Sequence, residues 1–199
     1  MGMDVYGLEP RKEKGEYFRN NIWWWRPLWD FIAQVDELYS KEKQANRLIS
    51  EEMYQNGHCN DGVGLETQED CDELLSRLGW AIEEGLADHR EKEVKEEMEK
   101  AKQHNKFIEK QRRDFQAKMK KKLGKEVPPR DYPEEDFNEW EKISMQENYN
   151  AHYPFSIENV EEFCSFLEDC GGVLNKLIIS NGGKGDFGRP FFCVVLYPG

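Results

Sequence analysis

No two cysteines of this 199-residue chain stand in C-x-x-C spacing; Cys59, Cys71, Cys164, Cys170 and Cys193 form an odd, scattered set. Neither a disulfide framework nor a zinc knuckle is indicated, and a reducing cytosol fits. The four histidines, His58, His89, His104 and His152, lack ligand spacing such as H-E-x-x-H, so no metal and no cofactor is expected. No run of 18 apolar residues is present, which argues against a membrane span. The opening Met1-Gly2-Met3-Asp4 carries neither the basic nor the apolar stretch of a secretion signal, and Tyr6 stands where myristoylation needs Ser or Thr. The expected location is therefore the cytoplasm.

Apolar residues are also scarce, at 38%, while 34% are charged, so part of the chain reads as solvated helix rather than core. From Arg90 to Lys125 there are 14 Lys and Arg against 7 Asp and Glu, a local charge of +7; with −12 for the whole chain, the remainder carries −19. Such a surface repels phosphate backbones and attracts basic protein. Generic nucleic-acid binding is not expected.

Met3 to Gly7 and Glu16 to Arg19 read as a β-hairpin around an exposed loop or as two short strands. Pro27 suits the first turn of a helix continued by Leu28, Phe31, Ile32, Val35 and Leu38. A second helical piece spans roughly 41–54, before an Asn, Asp and Gly-rich loop at 56–64. Thr67 caps a helix with an apolar stripe through Cys71, Leu74 and Leu78, stopped at Gly85. A long helix follows from Asp88 to Leu123, whose heptad seam includes Val94, Ala101, Asn105, Ile108, Arg112, Phe115 and Met119. Its Ala, Asn and Arg positions weaken a coiled coil and favour a helical hairpin or an arm packed on itself or on a partner. The acidic run 131–136 reads as linker. Ser156 caps an amphipathic helix ended by Gly171-Gly172, and strand-like runs at 173–179 and 191–197 flank a glycine-rich loop. The sum is an α+β fold whose N- and C-terminal strands share one small antiparallel or mixed sheet packed with helices. Residues 1–87 and 131–199 form its domain, and 88–130 a charged helical arm with its linker.

The chemistry concentrates at Trp23-Trp24-Trp25-Arg26-Pro27-Leu28-Trp29, four tryptophans in seven residues. Neither helix nor strand hides three consecutive side chains on one face, so the block either recruits cover or lines a binding face. Residue geometry suggests Trp24 and Trp29 for the core. Trp23, Trp25, Arg26 and Arg19 are the candidate contacts, able to stack or pair with a base or a partner side chain. Lys184 and Arg189, in the glycine-rich loop at 181–190, are further candidates, although the loop lacks Walker A order and joins strands. His58-Cys59 suggests a nucleophile pair or metal corner, yet adjacent residues rarely aim at one atom. No catalytic residue is assigned.

Met3-Asp4-Val5-Tyr6-Gly7, the Gly15 to Asn21 segment, the Trp23 to Trp29 block, the loop from Gly57 to Gly62 and Tyr153 to Phe163 with Gly171-Gly172 together resemble a family of small proteins encoded by bacteriophages and prophages. The likeness covers roughly the first 65 residues and 152–172, and the tryptophan block is its most specific part. Some members carry paired cysteines mid-chain; here the charged segment 88–123 stands in their place, so a zinc-linked role is not carried over. The resemblance implies an accessory protein acting in the cytoplasm of a host cell. It would be a non-catalytic counter-defence protein that blocks a host defence protein such as a CRISPR effector, or sequesters its nucleotide signal. Alternatives are a hydrolase acting on a signal nucleotide, and an assembly protein that forms a homo-oligomer through the long helix.

Overall fold

A computed structural model of the chain describes residues 2–59 and 61–176. Strand β1 (Gly2–Gly7) turns through an exposed loop and a short 3-10 helix into β2 (Tyr17–Asn21), as the hairpin pattern predicts. Their register pairs Val5 with Phe18 and Asp4 with Arg19. Alternation buries Met3, Val5 and Phe18 on the inner face, and leaves Asp4, Tyr6, Tyr17 and Arg19 on the outer one. Strand β4 (Val173–Lys176) pairs antiparallel with β1, Gly7 opposite Val173, which joins chain segments from opposite ends in one sheet. A short strand β3 (Asp61–Val63) closes the order β2-β1-β4-β3. The sequence read β3 as loop; its Asp-Gly-Val offers no alternation, and its pairing to β4 supplies what local pattern lacks.

Helix α1 (Ile22–Lys43) starts earlier than Pro27 suggests. Asn21 caps it, its side chain accepting from Trp23 N–H at 2.9 Å, so the whole tryptophan block is helical and Pro27 lies inside the helix. Pro27 removes one bond to the Trp23 carbonyl, within the stretch anchored by burial of Trp25, Leu28, Trp29 and Ile32. The helix ends at Gln44, in the left-handed conformation, and α2 (Glu51–Gly57) follows, capped by Ser50. The break separates what the sequence read as a continuous piece at 41–54. It is pinned from below: Asp36, fully buried, accepts from the Leu48 and Ile49 N–H groups at 3.2 and 3.0 Å. Arg77 of α3 (Gln68–Glu83) completes the network, donating to Ser40 Oγ and the Asn46 carbonyl at 3.0 and 2.9 Å. Thr67 caps α3 as expected, and α6 (Ile157–Leu167) buries Val160, Phe163, Phe166 and Leu167. Gly171 at φ 67° then turns the chain into β4.

Two compact units result, one of Met1–Leu86 with the chain from Ile157 onward, the other of Ala87–Ser156. The second is built on α4 (Leu86–Leu123), of 38 residues, and α5 (Glu134–Ser144). The expected boundary at 130 thus lies at 156, and the expected linker 131–136 is structured. Tyr132 packs with Phe115 and Met119, while Asp136, in the first turn of α5, pairs with Lys122 at 2.7 Å. An acidic run reads as solvated only while its apolar neighbours Tyr132, Phe137 and Trp140 go unpaired with a partner face. The polar seam positions find partners in the same unit. Asn105 exchanges hydrogen bonds with Asn148 at 2.8 and 2.9 Å, and Arg112 donates to the Ser144 carbonyl at 3.0 Å. The long arm is thus packed on its own chain.

Candidate functional site

The first turns of α1 divide the tryptophans by angle. Trp23 and Trp24 are 39% and 37% exposed, while Trp25 is 2% exposed. The expectation placed Trp25 on the accessible side and Trp24 in the core; the structure reverses both. Successive helical residues turn by about 100°, so Trp25 and Trp29, four apart, lie within about 40° of each other, whereas Trp24 and Trp29 diverge by about 140°. Trp29 enters the core as expected and takes Trp25 with it.

The two buried indoles stack, centroids 5.7 Å apart and planes within 10°. Their N–H groups find the last turn of α2: Trp25 Nε1 donates to the Gly57 carbonyl at 2.8 Å and Trp29 Nε1 to the Tyr54 carbonyl at 2.9 Å. These carbonyls belong to a helix end, where acceptors lack partners within the helix. Gly57 has to be glycine, since a Cβ there would stand 2.5 Å from the Trp29 ring. Phe18 and Phe163 pack on Trp25 from the sheet and α6, with centroids at 6.5 and 6.1 Å. The cavity beneath this stack is about 30 Å³ and has an apolar lining that includes Val5, Ile49, Met53 and Leu65.

Outside the stack, Trp23, Arg26 and Asp30 fall on one stripe of α1 at spacings of three and four. The α2 side supplies Tyr54 and His58. Tyr54 donates its hydroxyl to Asp30 at 2.8 Å, His58 Nε2 stands 3.5 Å from the same carboxylate, and the two rings meet edge to face at 5.0 Å. Burial lowers the His58 pKa below its ordinary value; the Arg26 charge acts in the same direction and Asp30 opposes both. The imidazole is therefore neutral at neutral pH. Asp30 serves here as a tie between two helices, and its bond to Tyr54 is better formed than its contact with His58.

Of the residues expected to make contacts, the structure brings Trp23 and Arg26 together and seals Trp25 away. Arg19 belongs to the outer face of the sheet, 3.6 Å from Asp4. Lys184 and Arg189 lie outside the described residues. Sequence reasoning missed Trp24, Asp30 and Tyr54. Helical spacing from Trp23 reaches Asp30, but nothing in the local pattern tells that α2 returns Tyr54 to it. His58 gains its partner from α1 rather than from Cys59. Among the described residues no three His, Cys, Asp or Glu side chains are grouped to hold a metal ion, and no helix is long and apolar enough to cross a membrane. Compared with protein-family models, curated proteins and solved structures, the chain matches none.

Proposed function

We propose that this chain is a non-catalytic bacteriophage accessory protein that binds and blocks a host defence protein, and that Trp23 is the centre of the contacting face, with Trp24 about 100° to one side of it around α1 and Arg26 about 60° to the other. The observation that carries the reading is the pair of adjacent tryptophans left more than one-third exposed at the start of α1, mounted on the buried Trp25 and Trp29 stack. Trp and Arg are enriched among the residues that dominate the energetics of protein interfaces, Trp because it presents a large rigid area on two rotatable bonds and Arg because its planar guanidinium stacks and pairs. A support already rigid in the free protein reduces the entropy lost on binding. The phage origin rests on the resemblance carried by the same block, and the net charge of −12 favours a partner with a basic surface.

The geometry gives less support to nucleotide capture at this block. A nucleotide occupies concave sites of several hundred Å³, on the order of 300–1,000, against about 30 Å³ beneath the stack. Arg19, a second cation expected there, is engaged on the sheet with Asp4. The assembly reading loses its seam to residues of the same unit, and the hydrolase reading would have to recruit His58 past the Tyr54 to Asp30 tie.

The test is phage plating on cells that carry a CRISPR effector and express the chain. Wild type should restore plating and co-purify with the effector, and the Trp23→Ala/Trp24→Ala chain should do neither while remaining folded. Wild-type activity retained in that double variant would remove the face from the mechanism.

A further inference from the structure

We infer that Cys71 and Cys170 form a dithiol site that closes to an intramolecular disulfide by exchange with a small disulfide such as glutathione disulfide. The inference is independent of the binding face. Cys71 stands in the second turn of α3 and Cys170 in the turn after α6, both fully buried. Gln68, one helical turn before Cys71 and on the same face, sets their meeting. Its amide donates to the Leu167 carbonyl at 2.9 Å, and its Oε1 accepts from Gly171 N–H at 2.7 Å. Those backbone groups flank Cys170, whose thiol donates to the same Leu167 carbonyl at 3.3 Å, so the next residue along that face of α3 meets the Cys170 thiol, and each thiol perturbs the other's pKa.

The pair is chemically unequal. The neighbouring Cys71 thiol, with help from Gly172 N–H, lowers the Cys170 pKa against the opposing effect of burial, whereas the Cys170 thiol and burial both raise that of Cys71. Cys170 lies in the turn 169–172 while Cys71 is held inside α3, so local opening presents Cys170 first as the attacking sulfur and leaves Cys71 as the resolving one. The Cys170 thiolate attacks one sulfur of glutathione disulfide, forming a mixed disulfide and expelling a glutathione thiolate. That thiolate takes up a proton. Cys71, deprotonated, then attacks the Cys170 sulfur and expels the second glutathione. Two protein thiols are oxidised by two electrons, and one glutathione disulfide becomes two glutathiones.

Access is governed by the turn itself. Leu8 and Arg11 N–H groups hold the Gly172 and Asp169 carbonyls at 2.9 and 2.7 Å, so exchange follows local opening of 169–172. The bond would close a loop from 71 to 170, which encloses the whole unit Ala87–Ser156. A cut anywhere in that unit would then leave the two remaining pieces covalently joined.

The experiment treats the full chain with glutathione disulfide, nicks it by brief trypsin digestion in the lysine-rich α4, and compares denaturing gels with and without reductant. Oxidised wild type should run as one linked species that separates into two on reduction, with a tryptic peptide pair joining Cys71 to Cys170. Untreated wild type, and treated Cys170→Ser or Cys71→Ser chains, should separate under both conditions. Treated wild type that separates without reductant, or a link mapping to Cys59, Cys164 or Cys193, overturns the assignment; treated wild type alone decides this, whether or not the variants fold.

Discussion

Both compact units complete the C-terminal end of a short helix with side-chain N–H groups, but they draw those donors from opposite chemistry. In the first, the buried neutral indoles of Trp25 and Trp29 reach the carbonyls of Gly57 and Tyr54 at the end of α2. In the second, Arg112 reaches the Ser144 carbonyl at the end of α5, while Asn105 and His104 take carbonyls of the chain just beyond it. An indole satisfies the acceptor and contributes large apolar area in the same step. A guanidinium or amide at a half-exposed seam gains little net over water. The comparison teaches that the first unit is stabilised by burial and the second specified by polar register, and it predicts how each will fail.

The largest effect belongs to the stack. Trp25→Ala removes a fully packed indole and the donor to Gly57, and should cost about 3–5 kcal/mol, enough to unfold the first unit in chemical denaturation. A loss under about 1 kcal/mol would mean that the site collapses around the gap and that burial is not the main support. Phe115→Ala, at the apolar knot of the second unit with Tyr132 and Trp140, should instead act locally. Hydrogen exchange should show protection lost across 87–156 and kept in α6, and loss spread evenly over both units would erase the distinction drawn here.

A smaller effect separates the units by pH. Because burial lowers the His58 pKa in the folded chain, the unfolded chain takes up that proton first as pH falls. Stability from this site is complete above the ordinary His value, about 6.5, and declines as pH drops through and below it. His58→Gln should flatten that decline in thermal melts of the first unit. An unchanged slope would assign the acid sensitivity elsewhere. The smallest effect on folding is expected at Trp23 and Trp24, where alanine should change stability by no more than about 0.5 kcal/mol each, read as urea midpoints. A shift as large as that of Trp25→Ala would show both indoles to be core.

Periodicity made the terminal hairpin, α3, α6 and the long helix legible, because each writes its buried face into local spacing: Val5 with Met3, Leu74 with Leu78, Phe163 with Leu167. The start of α1 was obscured by Pro27, a strong local cue outweighed by Asn21 as cap and by burial beyond it. That shift of origin moved Trp25 inward. Tyr132 and Asp136 were unreadable for another reason: an acidic run looks solvated until Phe115, Met119 and Lys122 from the same unit face it. Of the candidate site, Trp23 and Arg26 were visible as an odd cluster, while Asp30, Tyr54 and His58 depend on the fold of α2 against α1. The Cys71 and Cys170 pair, far apart in the chain, carries no local signature at all.

The tryptophan block splits into a buried support, Trp25 and Trp29, and an exposed face, Trp23 and Trp24. The most direct measurement is phage plating on a CRISPR-protected host expressing the Trp23→Ala/Trp24→Ala chain, with its thermal melt taken on the same preparation. The melt should be indistinguishable from wild type, and plating should fall to the level of cells without the protein. Plating at the wild-type level from a folded double variant would contradict a contact role for that face.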